Sequence, residues 1–229
     1  MTPGARGTCL QDPFNRKGRN AMRIGVIGAG NIGGTLTQRL TALGHEVTVA
    51  NSRGPATLTE LAERTGATPA GVTDAVRHAE LVVLAVPLRA VPDLPATDFG
   101  GRVVVDANNY YPERDGDLPE VADRSITSSR WVADHLPGAR VVKAFNTIAA
   151  EQLRDGGVPA GSPQRIAVPV AGDDPEATRV VRDVVEQLGF DAVEAGTLDE
   201  SWRQQPQTPV YGTDLDAAGV LAGLGAARP

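Results

Sequence analysis

One cysteine, Cys9, among 229 residues permits no internal disulfide and no cysteine cage for zinc, and three scattered histidines offer no metal-ligand spacing. No metal site is expected. With 22 Lys+Arg against 28 Asp+Glu the net charge is −6, so the basic footprint that holds a polyanion is missing and nucleic acid is not an expected partner. No apolar run approaches the ~18 residues that cross a bilayer. The first twenty residues also lack the apolar centre of a signal peptide. No membrane partner is therefore expected, and the expected location is cytoplasmic. What remains is a composition of 41% hydrophobic and 22% charged residues with 26 Gly and 17 Pro, that of a globular protein.

Residues 1–21 carry glycine, proline and basic side chains without hydrophobic periodicity, too little apolar surface to offset the entropy of ordering them. They read as an N-terminal extension, with Cys9 an incidental thiol. From Met22 the pattern changes. Apolar, β-branched runs at 23–27, 46–50, 81–86, 102–106, 140–145, 166–170 and 191–194 are near-continuous rather than alternating, which marks strands covered on both faces. Between them, segments 31–43, 57–65, 72–78, 128–136 and 175–188 space apolar residues three and four apart, as amphipathic helices do. A β-α-β-α order predicts an α/β fold with a doubly wound, mostly parallel sheet in one domain, of the dinucleotide-binding Rossmann type. The domain is placed at 22–200. A polar, Pro-interrupted stretch and a short terminal helix, 201–229, form a tail packed on the domain or at an interface.

The first strand runs into Gly28-Ala29-Gly30-Asn31-Ile32-Gly33. At this spacing Gly28 permits the tight turn, Gly30 lets the backbone approach a pyrophosphate, and Gly33 lets the helix pack closely on the strand. The pyrophosphate would rest on the free amides of the helix N-terminus. The second strand ends in Val49-Ala50-Asn51-Ser52-Arg53-Gly54, without the acidic residue that reads an unphosphorylated ribose. Ser52 and the Arg53 guanidinium suit a 2′-phosphate, so the expected cofactor is NADP(H).

Ligands of an open parallel sheet bind at the C-terminal ends of the strands. His45, His78 and His135 each precede a strand and belong to the opposite edge. The correct edge carries Val86, Pro87 and Ala90, then residues 106–111, then 146–150, mostly amides and apolar groups. Such a site suits hydride transfer governed by stacking and orientation better than chemistry needing a strong acid or base. Tyr110 and Tyr111 are the candidate proton donors, and Asp106 is a candidate to close its strand by accepting backbone N–H bonds.

The chain resembles the NADPH-dependent reductases of the deazaflavin coenzyme F-420, and more broadly the reductase domain this group shares with membrane metalloreductases. The resemblance spans about residues 22–200. It rests on 22–33, on Leu43-Gly44-His45-Glu46 with Ser52-Arg53, and on Leu84-Ala85-Val86-Pro87. Further matches are Val142-Lys143-Ala144-Phe145-Asn146-Thr147-Ile148, Pro169-Val170-Ala171-Gly172-Asp173-Asp174 and Glu194-Ala195-Gly196-Thr197-Leu198. It implies NADP contacts from Ala29, Gly30, Asn31, Ile32, Ser52, Arg53, Val86, Ala90, Asn109 and Ala150. It further implies a deazaflavin stacked on the nicotinamide near Asn146 and Ile148, and a homodimer. Thr57 stands where the family has lysine, Asn146 where archaeal members have histidine, and the sequence beyond Ser201 departs from the archaeal pattern.

The reading is therefore an NADPH-dependent oxidoreductase passing a hydride between NADP(H) and a deazaflavin, coenzyme F-420, or a similar small-molecule redox acceptor. Two rivals stand beside it: a reductase of a small imine, ketone or metal complex using Tyr110 or Tyr111 as acid, and a non-catalytic NADP sensor that binds a partner through Trp202 and Tyr211.

Overall fold

A computed structural model of the chain describes residues 21–228, so the N-terminal extension up to residue 20, with Cys9, lies outside the described residues. The elements run β1 (Arg23–Ile27), α1 (Asn31–Ala42), β2 (Glu46–Ala50), α2 (Thr59–Thr65), β3 (Thr68–Pro69), α3 (Val72–Arg77), β4 (Leu81–Leu84) and β5 (Val103–Asp106). They continue as α4 (Pro112–Asp115), α5 (Pro119–Ala122), α6 (Ser128–His135), β6 (Arg140–Lys143), α7 (Ala150–Asp155), β7 (Ala167–Gly172), α8 (Pro175–Gln187), β8 (Asp191–Glu194) and α9 (Ala217–Ala226). One eight-stranded sheet has the order β3-β2-β1-β4-β5-β6-β7-β8, parallel throughout except where β7 meets β6. This is the doubly wound α/β arrangement that the alternating pattern predicts.

Strands β4 and β5 are buried at every position, which is why β4 is wholly apolar and β5 is apolar up to its last residue, Asp106. On one face of the sheet Leu36 and Leu40 of α1 join Val181, Val184 and Val185 of α8 over Val26, Val49 and Val105. On the other, Val76 of α3 and Trp131 and Val132 of α6 cover Val82, Leu84 and Val104. Each such side chain contributes about 1.5–3 kcal/mol on burial, so the two layers hold the sheet from both sides. Helix α8 starts where Asp174 accepts the Glu176 and Ala177 N–H groups and Pro175 presets the first turn. Residues past Ser201 pack on the domain: Val210, Val220 and Leu224 close over Val193 of β8.

Three of the element ends that differ from the sequence reading have a plain local cause. Strand β4 stops at Leu84, because the Val86 N–H leaves the ladder for Asn108 Oδ1 at 2.8 Å. Strand β6 stops at Lys143, since Phe145 takes a left-handed backbone, φ 61°. A 3-10 turn, Pro55–Leu58, precedes α2, where Pro55 cannot donate to a helical ladder. No helix among the described residues is long and apolar enough to cross a membrane.

Candidate functional site

Gly28 has φ 103°, and a Cβ there would lie 2.1 Å from the Ala85 carbonyl oxygen; a Cβ on Gly33 would lie 1.9 Å from the Gly28 oxygen. Both glycines are demanded by the protein's own packing. Gly30 differs: its backbone is extended and a Cβ would meet nothing within 4 Å. Its bareness has no internal reason and leaves room for a ligand at the backbone. Gly30 also caps α1, where no side chain takes the first-turn amides and no carboxylate occupies that turn. The turn, with Ala29, Asn31 and Ile32 half-buried or exposed around it, therefore fits a pyrophosphate.

The Gly28 N–H donates to the Ala50 carbonyl at 2.8 Å, which sets the end of β2 beside the glycine turn. Ser52 and Arg53 follow, both exposed. Asn51 shapes this loop: its Oδ1 accepts the Arg53 N–H at 3.0 Å and its Nδ2 donates to Thr57 Oγ1 at 3.0 Å. Thr57 in turn donates to the Gly54 carbonyl at 2.8 Å and so braces the loop.

Along the same edge, Val86 and Ala90 flank the end of β4 and are half-buried. Asn109 and Asn146, after β5 and β6, face each other: Asn109 Nδ2 donates to the Asn146 carbonyl at 2.9 Å, and Asn146 Nδ2 to Asn109 Oδ1 at 3.1 Å. Ile148 is buried in the core layer beneath α1, and Ala150 opens α7, which packs on α1. The predicted residues thus follow the C-terminal ends of β1, β2, β4, β5 and β6, along one edge of the sheet. The three histidines stand at the other edge. His45 Nδ1 accepts the Met22 N–H at 3.2 Å, and His135 lies on Trp131 with ring centroids 3.9 Å apart.

Three features of this end escaped sequence reasoning. Lys143 is fully buried and pairs with Asp106 at 3.1 Å, while donating to the Asn108 carbonyl. Asp106 also takes the Ser129 hydroxyl at 2.7 Å and the Asn108 N–H at 3.0 Å, the strand-closing role expected of it. Burial pushes the Lys143 ammonium below the ordinary lysine range, against the pull of Asp106. A lysine ending an otherwise apolar strand, in register with an aspartate, was the available signal. Second, Gln204 from the tail donates to Asn146 Oδ1 at 3.0 Å and its carbonyl accepts from Asn146 Nδ2 at 2.6 Å. Third, the Tyr111 and Tyr211 hydroxyls are hydrogen-bonded to each other. No local signal marks these two.

Beside the paired asparagines opens a cleft of about 700 Å³ whose walls include Tyr110, Ile126, Trp202 and Gln205, with Arg124 and Arg228 at its rim. Tyr110 and Gln205 are chain neighbours of Asn109 and Gln204, so cleft and crevice are continuous in the backbone. The Tyr110 hydroxyl is committed to the Gly116 carbonyl at 2.9 Å.

Residues 23–110 match the family described as NADP oxidoreductase, coenzyme F420-dependent. The chain is 35% identical to hypothetical protein SMa0349 of Sinorhizobium meliloti, with a TM-score of 0.73 over 85% of this chain and 95% of that one. A protein of Arthrobacter sp. FB24 assigned by name as an F420-dependent NADP reductase is 29% identical, with a TM-score of 0.68 over 77% of this chain and 86% of that one. The metalloreductase STEAP3 of Rattus norvegicus is 29% identical over 188 residues, 79% of this chain and 35% of its own. The chain spans less than half the length of the curated relatives it matches. The glycine turn, the acid-free end of β2 and these likenesses agree: the chain belongs to the family of F420-dependent NADP oxidoreductases.

Proposed function

We propose that this chain is an NADPH-dependent oxidoreductase that passes a hydride between NADP(H) and a deazaflavin, coenzyme F-420, or a similar small redox acceptor. The observation that carries the reading is the contrast within the glycine turn: Gly30 is bare where only a ligand uses the space, at the uncapped start of a helix. Bound NADPH supplies the hydride. The protein's part is positioning. The α1 amides and Gly30 hold the pyrophosphate, Ser52 and Arg53 read the 2′-phosphate, and Val86, Ala90, Asn109 and Ala150 border the rest of the dinucleotide. Asn146 is locked on both sides by Asn109 and Gln204, so the amide edge beside the hydride path is rigid before any ligand arrives. No covalent nucleophile is required.

The test is loss of reduced-nicotinamide absorbance with purified protein, with F-420, FMN and ferric complexes offered in turn. Saturable oxidation of NADPH with F-420 alone is the expected result; NADPH binding without turnover on any acceptor would overturn the reading and favour a sensor. Replacing Arg53 removes a charge-assisted bond worth about 1.5–3 kcal/mol, so Arg53→Ala is expected to weaken NADPH about tenfold or more and leave NADH unchanged. Equal weakening of both would remove the phosphate contact from the proposal.

A further inference from the structure

Hydride delivery to a polar acceptor leaves a pair of electrons on a heteroatom, and that atom needs a proton. The groups near the amide edge that could give one are few. Lys143 and Asp106 are buried against each other. Ser129 is spent on Asp106, and Tyr110 on the Gly116 carbonyl. Burial favours the protonated form of Asp115, but bonds from Arg114, the Tyr111 N–H and the Arg89 N–H outweigh it and hold the carboxyl below its ordinary range, charged and without a proton to give.

The Tyr111–Tyr211 pair is different in kind. Two hydroxyls bonded to each other use one of their two protons, and the second stays free to donate to a third group. The segments that carry them are tied to the amide edge by separate bonds: Asn109, two residues before Tyr111, by its pairing with Asn146, and Gly212, next to Tyr211, by an N–H to the Thr147 carbonyl at 2.8 Å. Tyr111 lies under the Arg114 guanidinium, 4.9 Å from the ring centroid, a cation–π contact that holds the ring in place. Both rings are half-buried, with part of each surface open.

We infer that the Tyr111–Tyr211 hydroxyl pair is the proton donor that accompanies hydride transfer, with Tyr211 facing the acceptor and Tyr111 replenishing it. This rests on the oxidoreductase reading above. In balance, the electrophilic carbon of a conjugated C=N or C=O acceptor takes the hydride from NADPH, and its π pair shifts onto nitrogen or oxygen. That atom takes the Tyr211 proton, Tyr211 takes the Tyr111 proton, and a proton from solvent water restores Tyr111. NADPH is oxidised and the acceptor gains one hydride and one proton. Burial, then the bond and charge of Tyr111, push the Tyr211 hydroxyl up to about 12 against the lowering by Arg114, so it carries its proton at every working pH. The donor spans the strand-end loop and the tail, a residue pair outside the part of the chain that matches the family model.

Two measurements test it. The chain has three tyrosines, so spectrophotometric titration of the ligand-free protein can follow phenolate formation nearly residue by residue. One tyrosine is expected to ionise last, near 12, and Tyr111→Phe to bring that step down toward 10, whereas an unmoved step would break the coupling. In single turnovers at saturating NADPH, Tyr211→Phe is expected to slow reduction about a hundredfold with NADPH affinity within about twofold, and Tyr111→Phe to slow it less. A Tyr211→Phe rate within about twofold of the unmodified protein would overturn the inference and leave the oxidoreductase reading standing. An unmodified protein inert on every acceptor would overturn both. If Tyr211→Phe failed to fold, a wild-type single turnover with no solvent deuterium isotope effect would still overturn the donor role, and an effect of about two or more would uphold it.

Discussion

The glycine turn takes Gly28 to Gly33 from one β-α unit, whereas the far end of the same crevice joins Asn109, Asn146, Gln204 and the two tyrosines from segments up to 100 residues apart. The first end is built mainly from neighbours in the chain: a strand, a tight turn and a helix N-terminus create the phosphate cradle. The second exists only after the sheet has brought β5 and β6 together and the tail has returned across them. Its contacts carry the entropy of closing long loops and must be held by neighbours already in place. Phe145, strained at φ 61° between β6 and Asn146, is one sign of that assembly, since its backbone conformation is kept only by the surrounding packing.

The comparison is broken most severely from below the assembled end. Lys143→Met leaves Asp106 buried without its cation and is expected to cost about 3–5 kcal/mol of stability, read as a large drop in the denaturant midpoint. A midpoint shift worth less than about 1 kcal/mol would mean that water or other groups carry Asp106. The local end can be dissected by a pair of variants. Gly28→Ala meets a backbone oxygen 2.1 Å away at a left-handed φ and is expected to destabilise by at least about 2 kcal/mol. Gly30→Ala meets nothing and is expected to hold stability within about 1 kcal/mol while weakening NADPH about tenfold. Equal effects of the two on stability would erase the distinction between packing and ligand glycines.

The smallest expected effect belongs to the edge away from the crevice. Burial holds the His45 imidazole below its ordinary value of about 6.5, partly offset by Gln187, and its Nδ1 accepts the Met22 N–H, which a protonated ring cannot do. Below that pH the unfolded chain takes up a proton that the folded chain resists, so stability falls as pH falls from about 6.5. His45→Gln is expected to flatten that slope in denaturant melts at pH 7 and pH 5, and an unchanged slope would put the acid sensitivity elsewhere.

Much of this is legible in the sequence. Buried β-branched runs between amphipathic segments give the parallel sheet, and the strand-end rule sends the histidines to the far edge and the amides to the crevice. Strand ends were read too long at Val86 and Phe145, because apolar character continues past the point where a side-chain acceptor, Asn108, or a left-handed turn ends the ladder. Gln204 and Tyr211 sit in a polar, proline-interrupted stretch with no periodicity, and nothing in their neighbourhood announces which distant groups they meet.

The alternation of strands and helices, the glycine turn and the acid-free end of β2 follow from residue types within a short stretch of chain. Packing alone makes Gly30 the glycine without an internal reason, brings Lys143 and Asp106 into one buried site, and carries Gln204 of the tail to Asn146 and Tyr211 to Tyr111. Those facts depend on distances between segments far apart in the chain, which are set by the packing of the whole sheet.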